Sequence, residues 1–101
     1  MLFRSHGGSG CISVTANVAP RLCAEFQAAC AAGDFAKARE YQDRLMPLHD
    51  ALFCETSPAP VKFAASLIGK GRPECRLPLA PVTDPTKEKV SAAMRGAGLI
   101  N

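Results

Sequence analysis

The sequence has no tryptophan, one tyrosine and no long apolar run among its 101 residues. Five phenylalanines are the remaining aromatics, so we expect a core built from aliphatic side chains and alanine. No apolar stretch approaches the roughly 20 residues that a membrane-spanning helix needs, which argues against a membrane protein. Residues 1–5 are too short for a signal peptide and lack its apolar segment. We therefore expect a cytoplasmic protein.

Clustered positive charge is also missing. The 12 lysines and arginines are scattered among 9 acidic residues, and the net charge is +3. Because basic residues form no run and do not alternate with aromatic residues, nucleic acid is not an expected partner.

The five cysteines do not form a metal-binding or disulfide pattern. Their number is odd, no CxxC pair occurs, and no histidine stands at a zinc-ligand spacing. We predict reduced thiols that pack as small hydrophobic side chains, at positions 11, 23, 30, 54 and 75. A disulfide framework or a metal site is the alternative.

One short stretch predicts a β-strand, over residues 10–15. It follows a glycine-rich turn at residues 7–10, and its β-branched Ile12, Val14 and Thr15 are typical of a strand buried on both faces. A phosphate-binding loop follows a strand and opens a helix, whereas these glycines precede the strand. Because no other segment predicts a strand, the expected partners of this one are absent. We therefore interpret the chain as a fragment.

The rest of the sequence predicts four helices. The first begins at Pro20 and ends at Gly33, and Asp34 caps the second, which continues past Pro47 with a kink or a brief break. We expect Ser57 to cap the third helix and Asp84 to cap the last, which Gly98 ends. Their apolar stripes are Leu22, Phe26, Ala29 and Cys30; Phe35, Ala38, Leu45, Leu48 and Leu52; Val61, Ala64, Ala65 and Ile68; and Val90, Ala93, Met94 and Ala97. Residues 76–81 contain prolines that exclude a helix, so we expect extended backbone there.

Residue types and spacing predict no catalytic group. His6 lies near the beginning of the sequence, and we expect His49 on a solvated turn, with no partner suggested by spacing for either. The lysines resemble surface residues rather than a desolvated Schiff-base lysine, and Lys62, between Val61 and Phe63, is the least certain of them.

Several blocks of the sequence, in order and in register, resemble the 4-hydroxy-tetrahydrodipicolinate synthase family, also called dihydrodipicolinate synthase. Residues 7–20 (GGSGCISVTANVAP) are similar to the eighth strand and following turn of that family. The similarity continues through residues 44–49 (RLMPLH), 52–53 (LF), 58–62 (PAPVK), 76–81 (RLPLAP) and 97–99 (AGL). It covers about residues 7–101.

The resemblance implies an α/β fold, the (β/α)₈ TIM barrel, of which this mostly helical chain is the carboxyl-terminal piece. Residues 1–32 are expected to hold the last barrel strand and helix, with a non-native start at 1–6, and residues 33–101 a helical carboxyl-terminal extension. The family is one of lyases that condense pyruvate with aspartate 4-semialdehyde through a lysine Schiff base in lysine and diaminopimelate biosynthesis. It implies a homotetramer without a metal or organic cofactor.

The same resemblance assigns one site residue to this sequence. The isoleucine of the last strand that contacts pyruvate matches Ile12, at the end of the barrel where active sites collect. The catalytic lysine and tyrosine belong upstream, so we expect this chain alone to be inactive. Two alternatives stay open: a non-catalytic helical interaction module related to the family, and a fragment of another pyruvate-dependent aldolase such as N-acetylneuraminate lyase. An unpaired strand would have no use in a self-sufficient module.

Overall fold

The computed structural model describes residues 2–101, which form five α-helices and one 3₁₀ turn. The helices are α1 (Leu2–Ser5), α2 (Pro20–Ala31), α3 (Phe35–Leu52), α4 (Ala59–Leu67) and α5 (Asp84–Gly96), and the 3₁₀ turn covers Thr15–Asn17. Helix α3 is central, because it packs against α2, α4 and α5. The four helices predicted from the sequence are confirmed as α2 to α5.

The predicted strand over residues 10–15 was wrong for this chain by itself. Residues 8–13 are irregular and Thr15 opens the 3₁₀ turn; no β-strand occurs anywhere in residues 2–101. A strand exists by pairing its backbone groups with a neighbour. Within the described part of the chain, no backbone N–H of residues 8–13 donates to a backbone carbonyl. The predicted non-native start at residues 1–6 lies partly outside the described residues, and α1 is a single helical turn.

The junction between α2 and α3 follows local sequence signals. Gly33 has a φ of 74°, its N–H donates to the carbonyl of Cys30, and the N–H of Asp34 donates to the carbonyl of Ala29 at 3.0 Å. This pair of bonds is the Schellman ending, which requires a left-handed residue where glycine costs least. The Asp34 carboxylate then accepts the N–H of Lys37 at 3.1 Å and caps α3. Both predicted boundary residues are confirmed.

Helix α3 supplies the centre of the core. Leu45, Leu48 and Leu52 are at most 1 % exposed, and they repeat at the spacing of one helix face. The helix continues through Pro47 to Leu52. Phe35 was predicted in the same stripe but is 43 % exposed, because it stands in the first turn of α3.

The predicted starts of α4 and α5 were each displaced by one residue. Helix α4 begins at Ala59 with Pro58 in the cap position, so Ser57 lies too far upstream to cap it. Helix α5 begins at Asp84 itself, with Thr83 in the cap position.

The amino terminus of α5 is capped by a side chain from a distant segment. The Glu55 carboxylate accepts the backbone N–H of Thr83 at 3.0 Å and its hydroxyl at 3.2 Å. Hydrogen bonding by the Thr86 hydroxyl, and then by the Thr83 backbone, lowers the pKa of Glu55. Glu55 therefore fastens the connector after α3 to the start of α5, where a helix favours negative charge.

Candidate functional site around Ile12

The side chains of residues 11–13 alternate between two sides of the segment. Cys11 and Ser13 line a cavity of about 300 Å³, whose other walls come from α2 and α3 and include Phe26 and Leu45. Ile12, between them, is fully exposed. This alternation is that of extended backbone, in which successive side chains point to opposite sides. The helices cover one side of the segment, and Ile12 projects from the other.

The cavity on the helix side has few polar groups. Burial raises the pKa of the Cys23 thiol, and a hydrogen bond with Ser13 opposes this shift. The Gln27 amide nitrogen donates to the Cys11 sulfur at 3.8 Å, whereas the buried Gln27 carbonyl oxygen has no partner among residues 2–101. The raised pKa keeps the Cys23 thiol protonated, which makes it a poor nucleophile.

A histidine on the helix side is tied to the segment that carries Ile12. His49 Nδ1 lies 2.6 Å from the Thr15 hydroxyl, and Thr15 is 1 % exposed. Burial lowers the pKa of His49, against the opposing charge of Asp50. The prediction that His49 stands on a solvated turn without a partner was wrong, because the residue lies inside α3. No local signal reveals the pair, since the two residues are 34 positions apart.

The other residues singled out in the sequence are the five cysteines, His6 and Lys62, and they differ in exposure. All five cysteines are free thiols; Cys30 is buried, and Cys23 and Cys75 are half-buried. Cys11 and Cys54 are exposed, so the prediction that the thiols are buried was wrong for these two, which stand in irregular segments outside the helix stripes. His6 is exposed and Lys62 is half-buried.

Residues 2–101 contain neither a cluster of metal-ligating side chains nor a membrane-spanning helix. No three histidine, cysteine, aspartate or glutamate side chains of the described chain come together as metal ligands. None of its described helices has the length and apolar character needed to cross a membrane.

Comparisons with known proteins agree with the helical architecture of residues 2–101, in which the segment around Ile12 has no strand partner. The profile of the dihydrodipicolinate synthetase family matches residues 2–97. The chain belongs to this family.

Relatives of known name make the relationship more specific. The 4-hydroxy-tetrahydrodipicolinate synthase of Cereibacter sphaeroides is 63 % identical over 98 residues, which are 97 % of this chain and 34 % of that protein. The chain thus spans about a third of the length of the curated relatives it matches. The resemblance to the synthase family found in the sequence is confirmed.

Solved structures agree with the sequence relatives. The dihydrodipicolinate synthase of Thermotoga maritima superposes with a TM-score of 0.92 at 43 % identity, covering 95 % of this chain and 32 % of that one. The chloride-inhibited enzyme of Acinetobacter baumannii, solved in complex with pyruvate, gives a TM-score of 0.92 at 37 % identity over 98 % of this chain and 34 % of its own. The helices of this chain therefore have the arrangement found in about a third of a synthase.

Proposed function

We propose that this chain is the carboxyl-terminal third of a 4-hydroxy-tetrahydrodipicolinate synthase. Residues 10–15 then form the last strand of the (β/α)₈ barrel, α2 is the helix that follows it, and residues 33–101 are the helical extension. The observation that carries the proposal is the 63 % identity over nearly the whole chain to a protein of which it covers only 34 %. The missing two-thirds then supply the other seven strands.

The exposed side of residues 11–13 supports the placement of this segment in a barrel. Each strand of a (β/α)₈ barrel turns alternate side chains toward the surrounding helices and toward the barrel interior. Cys11 and Ser13 face α2 and α3, so Ile12 is on the side that the barrel interior would occupy. Among residues 2–101, no N–H of residues 8–13 donates to a backbone carbonyl, which supports their pairing with the strands that would flank the segment.

In the proposed whole enzyme, Ile12 contacts pyruvate. A lysine from an earlier strand forms a Schiff base with the pyruvate ketone, with loss of water. Removal of a proton from the methyl carbon converts this Schiff base into an enamine, whose carbon attacks the aldehyde of aspartate 4-semialdehyde. The lysine and the proton-relaying tyrosine are upstream of this chain, which contributes an apolar contact and the helical extension. The proposal includes a cytoplasmic homotetramer that needs no metal or organic cofactor, and no catalysis by the 101-residue chain alone.

The test is a fusion enzyme in which this chain replaces the matching 34 % of the Cereibacter sphaeroides synthase. We expect the fusion to support growth of a synthase-deficient bacterium without added diaminopimelate. Borohydride with pyruvate should trap a covalent adduct on the purified fusion and none on the 101-residue chain. A folded fusion that fails both assays, or an adduct on the short chain, would overturn the proposal.

A matched pair of variants tests the role of Ile12. Ile12→Ala in the fusion removes apolar surface from the proposed pyruvate contact, and each lost methylene weakens binding about fourfold. Leu77→Ala is the control, because Leu77 is also an exposed aliphatic residue but lies in the loop between α4 and α5. We expect the KM for pyruvate to rise at least fourfold in the first variant and to stay within twofold in the second. Equal effects in both would contradict the assignment of Ile12.

A further inference from the structure

We propose that His49 is a positioning residue for the pyruvate contact, acting through its hydrogen bond to Thr15. The bond holds the end of the segment that carries Ile12 against helix α3, and so sets where Ile12 meets the substrate. This inference rests on the proposed function, since it concerns the same site.

Thr15 is held by its backbone as well as by its side chain. Its carbonyl accepts the N–H groups of Val18 at 3.1 Å and Ala19 at 2.9 Å, which ties it to the beginning of α2. Its hydroxyl reaches His49 on α3. Thr15 is therefore fastened to two helices that come from different parts of the chain.

His49 stands at the edge of the buried face of α3. It follows Leu48 on α3 and is one turn from Leu45 and Leu52, which places it beside the face whose leucines are at most 1 % exposed. The imidazole is half-buried and lines the same cavity as Cys11 and Ser13, so its hydrogen bond to the Thr15 hydroxyl fixes its orientation there.

Ile12 is close enough to Thr15 along the chain for the hydrogen bond between Thr15 and His49 to restrict its position. Ile12 is three residues before Thr15, and three residues span at most about 10 Å even when fully extended; Val14 between them has helical backbone angles, which brings the two closer. When the Thr15 end is fixed, displacement of Ile12 is restricted to rotations within that short segment. Loss of the bond removes the hydrogen bond between the segment and α3 and leaves the contacts of Cys11 and Ser13 with α2, so Ile12 samples a wider range of positions.

A purely structural role makes a different prediction. If the bond did nothing more than satisfy a buried hydroxyl, its loss would lower stability without changing substrate affinity. A contact that is equally good in the ground and transition states affects KM and leaves kcat unchanged when it is lost. A positioning role therefore predicts a higher KM for pyruvate with unchanged kcat, whereas a purely structural role predicts lower stability with unchanged KM.

The kinetic test uses the fusion enzyme with two pairs of variants. Thr15→Val keeps the shape of the side chain and removes the hydroxyl, whereas Thr15→Ser keeps the hydroxyl. His49→Asn keeps a polar group near the position of Nδ1, whereas His49→Leu removes it. We expect Thr15→Val and His49→Leu to raise the KM for pyruvate roughly two- to tenfold, the range that one net hydrogen bond provides, with kcat within twofold. Thr15→Ser and His49→Asn should recover most of the affinity.

The double variant Thr15→Val/His49→Leu adds a further criterion. Because both changes break one bond, we expect its KM to match that of either single variant rather than the product of the two effects. Unchanged KM in a folded Thr15→Val enzyme, or multiplied effects in the double variant, would overturn the inference.

A second measurement on the 101-residue chain does not depend on activity. Nuclear magnetic resonance of the His49 ring should show one fixed tautomer, and ¹⁵N relaxation should show order extending from Thr15 back to Ser13. Thr15→Val should abolish both observations, and Thr15→Ser should retain them. If the unmodified fusion is inactive, the proposed function fails, while this measurement still decides whether the bond positions the segment. Unchanged order in Thr15→Val would refute the link itself.

Discussion

Replacing Gly98 by alanine tests how the end of helix α5 is joined to helix α3. Gly98 follows the helix with a φ of 79°, and the N–H of Leu99 donates to the carbonyl of Met94, as in a Schellman ending. The Arg44 guanidinium of α3 donates to the carbonyl of Ala97 at 2.9 Å. The turn thus lies directly beneath a side chain from the neighbouring helix.

The expected destabilisation has two parts. A non-glycine residue in the left-handed region costs about 1–2 kcal/mol. A Cβ on residue 98 would lie 2.9 Å from Arg44 Nη2, so the guanidinium must shift, which disturbs its bond to Ala97. That bond contributes about 0.5–1.5 kcal/mol, with the low end appropriate for an exposed arginine. Gly98→Ala should therefore lower the free energy of unfolding by about 1.5–2.5 kcal/mol, or Tm by roughly 6–20 °C.

Gly96→Ala is the matched control. Gly96 is the last residue of α5, its φ is not positive, and a Cβ there meets nothing within 4 Å. Alanine in a helix is favoured over glycine by about 0.5–1 kcal/mol, so this variant should be as stable as the wild type or more stable. Urea unfolding followed by circular dichroism at the helix band measures both variants. Equal stabilities for the two would refute the reasoning.

The two parts of the effect can be separated by a variant of Arg44. Arg44→Met removes the guanidinium in advance, so Gly98→Ala in that background should retain only the backbone contribution of about 1–2 kcal/mol. If the effect of Gly98→Ala were the same size in both backgrounds, contact with Arg44 would contribute nothing.

Three further predictions concern the core, a helix cap and the dependence on pH. Leu48→Ala should lower the free energy of unfolding by about 2–5 kcal/mol, because the side chain is fully buried, whereas Met46→Ala on the exposed side of α3 should change it by less than about 0.5 kcal/mol. Asp34→Ala should cost about 1 kcal/mol through loss of the α3 cap, and the exposed Asp43→Ala should cost far less in the same urea titration. Burial lowers the pKa of His49 below its ordinary 6.5, so the unfolded state binds the proton more readily, and stability should fall as pH drops through 6.5. Thermal unfolding between about pH 7.5 and 5.5, above the range in which Glu55 titrates, should show this slope in the wild type and lose it in His49→Asn.

Local signals in the sequence predicted the helices and most of their ends. Gly33 and Gly98 adopt the left-handed backbone that glycine favours, and Asp34 caps the nearest free N–H groups, so each boundary depends on a few adjacent residues. The leucine spacing likewise indicated which face of α3 is buried. Such features are predictable because the interacting groups are close in the chain.

Features that depend on distant partners were not predictable. The carboxylate that accepts the Thr83 N–H at the start of α5 comes from Glu55, 28 positions earlier in the chain. The exposed position of Cys11 likewise depends on the packing around the irregular segment that contains it.

The segment around Ile12 depends both on local sequence signals and on contacts between distant residues. The sequence by itself determined the helices, their local ends, the strand-forming character of residues 10–15 and the family, because residue types and their spacing carry all four. The tertiary structure decided that residues 8–13 are irregular rather than a strand, since a strand needs neighbouring strands for its backbone groups and residues 2–101 supply none. It also decided that Ile12 projects away from the helices and that Thr15 is bonded to His49, because side-chain exposure and pairing arise only when distant helices pack together.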